Sequence, residues 1–120
     1  MYTLCILLAL AQAPDTSVQV TWGVRIPMRD GVTLNATLYG PADNTAALPV
    51  VFELTPYISD TYHNRGMYFA QHGYRFAIVD VRGRGNSGGA KHLMADASDG
   101  YDIVEWLAKQ PWCNGKVAMW

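Results

Sequence analysis

A glycine-rich segment, residues 83–89, holds the residues whose types and spacing come nearest to known reaction chemistry. Around Ser87 it fits the G-x-S-x-G pattern of a serine nucleophile on a sharp strand-to-helix turn. From Gly83 to Gly88 it also fits the G-x-G-x-x-G pattern of a loop that cradles a dinucleotide phosphate. Because a run of glycines satisfies many patterns by chance, the elements on either side must decide between these chemistries.

The surroundings of this segment favour neither chemistry. Ser87 lies six residues beyond Val81, the end of a predicted strand, and no helix starts directly behind it, so we expect its hydroxyl to cap a neighbouring backbone group. A dinucleotide loop should open a helix, and the next strand should end in an acid. Here residues 90–97 separate the glycines from the next predicted helix, and the last strand ends in Met119-Trp120. Nucleotide binding stays open as an alternative.

Two further candidates stand at the ends of predicted strands. Thr55-Pro56-Tyr57 follows the first apolar strand, and Asp80 lies near the end of the second. In an open parallel sheet, ligands bind at the edge formed by the carboxyl ends of the strands. The phenol of Tyr57 could donate a hydrogen bond to a developing oxyanion there, or its ring could only pack the loop. Asp80 could act as a catalytic acid, but we expect it to hold the following loop through arginine or backbone hydrogen bonds.

The elements that would position these residues follow from hydrophobic periodicity. The apolar positions of the first strand alternate with other residues at Val18, Val20, Trp22, Val24 and Ile26. A second alternating run, residues 32–38, follows the turn signal Arg29-Asp30-Gly31, so the two segments predict an antiparallel hairpin. Apolar runs at residues 49–54 and 74–81 predict strands that are covered on both faces.

Two helices and a last strand complete the predicted order. A short helix around residues 67–70 should end at Gly73. A second helix is predicted from about Ser98 to Lys109, with Ser98 or Asp99 as its cap. The inward face of that helix is predicted at Tyr101, Val104, Leu107 and Ala108.

A helix-to-strand loop at Asn114-Gly115 should then lead into a short buried strand, residues 115–120. The order β-β followed by β-α-β-α-β predicts an α/β fold with a mostly parallel sheet and an antiparallel edge.

Composition bounds the function classes. The 120 residues are 50% apolar and 16% charged with a net charge of −1, which indicates a single packed domain and argues against nucleic-acid or membrane-surface binding. No apolar run is long enough to span a membrane. His63, His72 and His92 lack metal-ligand spacing, and Cys113 is expected to be a small packing residue.

The N-terminal segment has a different character. An apolar run at residues 4–10 precedes Ala11-Gln12-Ala13, a small-x-small cleavage pattern. Residues 1–13 therefore predict a signal peptide, a mature chain that begins near Pro14, and a secreted or periplasmic location. Because no basic residue precedes the apolar run, a buried first strand or helix is the alternative.

Several segments taken together resemble one family. They are VRIPMRDGVTL (24–34), TPY (55–57), VDVRGRGNSGG (79–89), DGYD (99–102) and WLAKQPWCNGKV (106–117). In order and spacing, residues 18–120 are similar to the start of the Xaa-Pro dipeptidyl-peptidase and cocaine-esterase family of serine hydrolases. The resemblance implies an α/β-hydrolase fold, a Ser-Asp-His triad, an acyl-enzyme and a tyrosine in the oxyanion hole, a role that falls on Tyr57. It implies small ester, amide or peptide substrates and no metal or organic cofactor.

The resemblance also leads us to expect an incomplete hydrolase. In that family, the strand that matches residues 115–120 runs directly into the serine turn, and no residue of this chain can be assigned as nucleophile, triad acid or triad base. Residues 14–120 are therefore expected to be the N-terminal part of a hydrolase domain, truncated before the nucleophile elbow and inactive alone. The other hypotheses are a Rossmann-like nucleotide-binding domain and a non-catalytic α/β interaction domain.

Overall fold

The two alternating segments form an antiparallel hairpin in the computed structural model, which describes residues 16–92 and 95–120. Strand β1 spans Val18–Pro27 and β2 spans Thr33–Pro41. Gly31 takes a φ of 87° in the turn between them, a value that glycine adopts without steric cost. The predicted hairpin is confirmed, whereas the predicted signal peptide lies outside the described residues.

A bulge in β1 makes one predicted inward position wrong. The pairing with β2 shifts register between Thr21 and Val24, and Gly23 has a φ of 67°. The extra residue changes the face to which side chains point. Trp22 is therefore 59% exposed instead of being packed beneath the sheet.

The remaining elements alternate as predicted. Strand β3 spans Leu48–Thr55, α1 spans His63–Gln71, β4 spans Arg75–Asp80, α2 spans Ala95–Ala108 and β5 spans Cys113–Met119. A single 3₁₀ turn, Ser59–Tyr62, precedes α1. The strands lie in the order β1-β2-β4-β3-β5, with β3 parallel to both β4 and β5 and with β2 antiparallel to β1 and β4. The mixed α/β sheet is thus confirmed, and the carboxyl ends of β3, β4 and β5 share one side of it, called here the carboxyl edge.

Each face of the sheet carries its own apolar core. On the α2 face, Phe52 and Val79 of the sheet are buried together with Ile103 of the helix. Against α1 lie Tyr39 and Phe76, and the ring of Phe76 stacks on Phe69 with centroids 4.9 Å apart. Burying one such large side chain contributes about 1.5–3 kcal/mol to folding, so the two cores fix the sheet between the helices.

Helix α2 begins at Ala95, earlier than predicted, and its buried face is made of partly different residues. Asp99, predicted as a possible cap, lies inside the helix and is buried together with Ile103 and Leu107, at spacings of four residues. Tyr101, predicted to face inward, lies on the opposite side of the helical wheel from these three residues and is 61% exposed. The predicted inward positions Val104 and Leu107 do pack in the core. The prediction was wrong for Tyr101 and missed Asp99, because a buried carboxylate on the inner face has no signature in hydrophobic periodicity.

Strand β5 also departs from the prediction. Asn114 and Gly115 lie within the strand, where the pairing with β3 shifts register and Gly115 has a φ of 87°, so they form an irregularity rather than the predicted loop. The strand is mostly exposed, and not buried as predicted, because it is one of the two edge strands of the described sheet. Cys113 is buried in the core on the α2 face, which confirms its packing role.

Gly66 of α1 gives a direct test of how closely this helix approaches the sheet. A Cβ at Gly66 would lie 2.5 Å from the Tyr39 ring, whereas a Cβ at Gly100 of α2 would meet nothing within 4 Å. We expect Gly66→Ala to lower the free energy of unfolding by about 1–3 kcal/mol, since neither Tyr39 nor the helix can move freely. The matched Gly100→Ala variant should instead raise it by about 0.5–1 kcal/mol. Urea denaturation measures both, and equal effects would contradict the close approach.

Candidate active site

Tyr57 lies at the carboxyl edge, two residues beyond the end of β3. Its backbone N–H donates to the hydroxyl of Thr55 over 3.0 Å, which shapes the bend after the strand. The side chain is 65% exposed and so is accessible to a bound molecule. At the end of β5, the backbone N–H of Trp120 donates to the carbonyl of Phe52 over 2.9 Å. The bend that holds Tyr57 and the end of β5 therefore lie at the same edge of the sheet.

Asp80 ends β4 and is buried, with 1% of its surface exposed. One carboxylate oxygen accepts the N–H of Ser59 over 3.0 Å, and the other accepts the side-chain amide of Asn35 over 3.4 Å. Burial raises the pKa of this carboxyl above its ordinary value. A Cβ on Gly85 would lie 2.3 Å from the carboxylate, so only glycine lets the loop pass this close. The backbone N–H of Asn86 also donates to this carboxylate, so Asp80 holds the loop through a backbone hydrogen bond, as expected.

The hydroxyl of Ser87 is engaged on both sides. It donates to the carbonyl of Asp80 over 2.6 Å and accepts the backbone N–H of Asn35 over 2.8 Å. The next residue, Gly88, donates its N–H to the carbonyl of Thr33 over 2.8 Å. These bonds fasten the glycine loop to β2 and confirm the predicted capping role of Ser87.

Arg82 joins three distant segments, a contact that the sequence analysis missed. Its Nε and Nη2 donate to the two carboxylate oxygens of Asp99 over 2.7 and 2.6 Å, and its Nη1 donates to Asp30 over 2.7 Å. The side chains of Arg82 and Asp99 are only 11% and 3% exposed. The hydrogen bonds that Arg82 donates to Asp99, and then to Asp30, raise the pKa of Arg82, and the bond from Arg82 lowers the pKa of Asp30. No local pattern signals a contact between residues this far apart in sequence.

The end of β5 is fastened to α1 by aromatic and charged groups. The ring of Trp120 meets the edge of Phe69 with centroids 5.6 Å apart, and the guanidinium of Arg65 lies 5.4 Å from the Trp120 ring centroid. Arg65 also forms an ion pair with Glu53 of β3. The point where the chain leaves β5 is therefore held against both a strand and a helix.

Clefts open near the carboxyl edge among the described residues. A polar cleft of about 380 Å³ lies beside the β1 bulge, with Asp60 and Asp80 among its lining residues. A smaller cleft of about 190 Å³ lies on the α2 side, with Pro56, His92 and Met119 in its wall. Tyr57 lines neither cleft.

The other titratable candidates do not gather into a site. Within residues 16–92 and 95–120, no three His, Cys, Asp or Glu side chains come together as metal ligands would. His63 pairs through its Nδ1 with the hydroxyl of Tyr39 over 2.9 Å, and burial raises the pKa of that phenol. In the same part of the chain, no helix is both long and apolar enough to cross a membrane.

The strand order and the loops at the carboxyl edge are those of an α/β-hydrolase-type fold. Residues 30–120 match the profile of the X-Pro dipeptidyl-peptidase (S15) family, so the chain belongs to that family. The resemblance given by the sequence motifs is thereby confirmed.

Relatives and solved structures agree with this assignment. The chain is 35% identical over 118 residues to a putative serine esterase of Mycobacterium bovis, in a match that covers 78% of this chain and 19% of that protein. It is 34% identical over 113 residues to the cocaine esterase of a Rhodococcus species, covering 88% of this chain and 19% of that protein. Among solved structures, an α-amino acid ester hydrolase superposes with a TM-score of 0.74 at 26% identity, over 98% of this chain and 24% of the other.

The chain spans about a fifth of the length of these curated relatives, since each match covers 19% of the relative. A CocE/NonD family hydrolase from Staphylococcus aureus has the same fold, with a TM-score of 0.74 at 23% identity over 83% of this chain and 22% of the other. The carboxyl edge described here is thus one part of a larger hydrolase architecture in the relatives.

The ion pairs of Arg82 predict that neutralising Asp99 destabilises the fold more than neutralising Asp30. Asp99→Asn should lower the free energy of unfolding by about 3–5 kcal/mol, because it leaves a buried guanidinium without its main counter-ion. Asp30 is half exposed, so Asp30→Asn should cost clearly less. Chemical denaturation checks the order, with Asp96→Asn, an exposed position of the same helix, as the control. Equal losses for Asp99→Asn and Asp96→Asn would contradict the role of this network.

Proposed function

We propose that the chain forms the N-terminal part of a serine hydrolase that cleaves ester or amide acyl bonds through an acyl-enzyme. The observation that carries this proposal is the position of Tyr57, exposed at the same edge of the sheet as the end of β5. Membership of the X-Pro dipeptidyl-peptidase family supports the class of reaction. The names of the relatives, a serine esterase and a cocaine esterase, support an acyl substrate.

In the proposed mechanism, this chain contributes electrostatic stabilisation rather than the nucleophile. A serine supplied by a segment that follows Trp120 attacks the substrate carbonyl, and a histidine takes the serine proton and passes it to the leaving group. The carbonyl oxygen becomes an oxyanion, to which the phenol of Tyr57 donates a hydrogen bond. One such donor is worth about 3 kcal/mol in the transition state. Asp80, Ser87 and Arg82 hold the neighbouring loop without touching the substrate.

The proposed substrates are small esters, amides or peptides, and no metal or organic cofactor takes part. The proposed location, secreted or periplasmic, depends on residues 1–13 acting as a signal peptide. A dinucleotide site is less well supported because the glycine loop is bound to Asn35, Thr33 and Asp80 rather than opening a helix.

Labelling with a fluorophosphonate probe tests the assignment of the nucleophile. We expect no stoichiometric labelling of the 120-residue chain, because the hydroxyl of Ser87 is held by Asp80 and Asn35. The same probe should label the protein that continues beyond Trp120 at a serine in that continuation. Mass spectrometry of the labelled peptide gives the position, and a label on Ser87 would overturn the proposal.

Tyr57→Phe tests the oxyanion donor in that longer protein. Because the hydrogen bond forms fully only in the transition state, kcat should fall by about 10²–10³-fold while KM changes little. Tyr101→Phe, at an exposed position of α2, is the matched control and should leave both constants unchanged. A normal kcat for Tyr57→Phe, measured with a chromogenic ester, would remove Tyr57 from the mechanism.

A further inference from the structure

A buried arginine without a counter-ion lies at the end of the sheet opposite the carboxyl edge. Arg75 is the first residue of β4 and is 4% exposed. Within the described residues it forms no ion pair. Its hydrogen bonds go to neutral oxygens: Nε donates to the carbonyl of Trp112 over 3.0 Å, and Nη2 donates to the Asn44 side chain over 2.5 Å and to the Ala46 carbonyl over 3.3 Å.

These bonds leave one end of the guanidinium unused. An arginine has five N–H donors, and the three bonds above account for those of Nε and Nη2. Nη1 has no hydrogen-bond acceptor among residues 16–92 and 95–120. It lies tightly against β2, since a Cβ on Gly40 would be 2.4 Å away from it. Since no fully buried side-chain N or O atom of the described residues lacks a partner, Nη1 must reach solvent, and its two N–H groups are open to a ligand.

A buried guanidinium without a counter-ion is unusual because it carries a charge. Buried arginines are rare unless they are paired, because desolvation of a charge is costly. Burial lowers the pKa of Arg75, but a guanidinium stays protonated in proteins. The site thus holds a full positive charge that neutral carbonyl and amide oxygens compensate only in part.

Arg75 also lines a cavity of about 190 Å³. Gln19 and Thr21 of β1 contribute polar walls, and Trp106 and Trp112 contribute aromatic ones. The two indole rings meet edge to face, with centroids 6.3 Å apart. The volume is below the range of about 300–1,000 Å³ for sites that hold drug-sized ligands, so an occupant must be small.

We propose that this cavity binds a small monovalent carboxylate. The carboxylate would accept hydrogen bonds from Nη1 of Arg75, and its short apolar part would contact the indole rings. Charge-assisted bonds to guanidinium suit the planar carboxylate group. The site is distinct from the proposed active site, because Arg75 and Asp80 occupy opposite ends of β4. It therefore stands or falls independently of the proposed hydrolase activity.

The proposal is tested by titrating acetate into a solution of the chain, with chloride replaced by acetate so that the ionic strength stays constant. Side-chain NMR signals of Arg75 Nε–H and of the Trp106 and Trp112 indoles report binding directly. We expect saturable shifts in the wild-type chain and in Arg84→Met, which removes an exposed arginine. Arg75→Met should weaken acetate binding by at least about tenfold, read from the indole signals.

A second variant keeps the proposal testable if Arg75→Met does not fold. Gln19→Glu has almost the same shape and places a carboxylate in the cavity wall, so it should also weaken acetate binding by at least about tenfold. Unchanged acetate affinity in Gln19→Glu, or no saturable shift in the wild type, would overturn the site. An identical response when chloride is exchanged for nitrate instead of acetate would overturn the preference for carboxylate.

Discussion

The ion pairs of Arg82 are the constraint on which the candidate active site depends. One guanidinium satisfies Asp99 from α2 and Asp30 from the hairpin turn, so three segments far apart in sequence meet at one planar group. If either Arg82 or Asp99 moved away, the other would remain as a buried charge without a counter-ion. These ion pairs hold Arg82, at the start of the loop after β4, in one position. The glycine-rich composition of that loop would not make it rigid by itself.

Hydrogen bonds of Asp80 and Ser87 hold the loop and the carboxyl edge together next to these ion pairs. The carboxylate of Asp80 accepts hydrogen bonds from the backbone N–H of Ser59 and the side-chain amide of Asn35. The hydroxyl of Ser87 donates to the backbone carbonyl of Asp80 and accepts the backbone N–H of Asn35. The exposed phenol of Tyr57 therefore stands on an ordered frame. A donor held in this way needs little reorganisation when charge develops on a substrate, which is the property that the proposed oxyanion role requires.

Periodicity predicted much of this architecture and failed where single residues override it. The hairpin, the covered strands β3 and β4 and the helix that ends near Gly73 were predicted, because apolar spacing together with a turn signal and a terminal glycine determines them. The exposure of Trp22 was not predicted, because one bulge at Gly23 reverses the faces of the strand. The motifs placed Tyr57 on the correct loop, but the network of Arg82 depends on contacts between distant residues, which no local pattern contains. The role of Tyr57 stays a prediction.

The fully buried strand β4 has a consequence for how the sheet is aligned. Its six residues carry Arg75 at one end and Asp80 at the other, about 17 Å apart, and each charge has its own set of oxygen or N–H partners. A slip of one residue against β2 or β3 would turn every side chain to the opposite face and pull both charges away from those partners. β4 therefore favours a single alignment, which fixes the register of the two strands that pair with it.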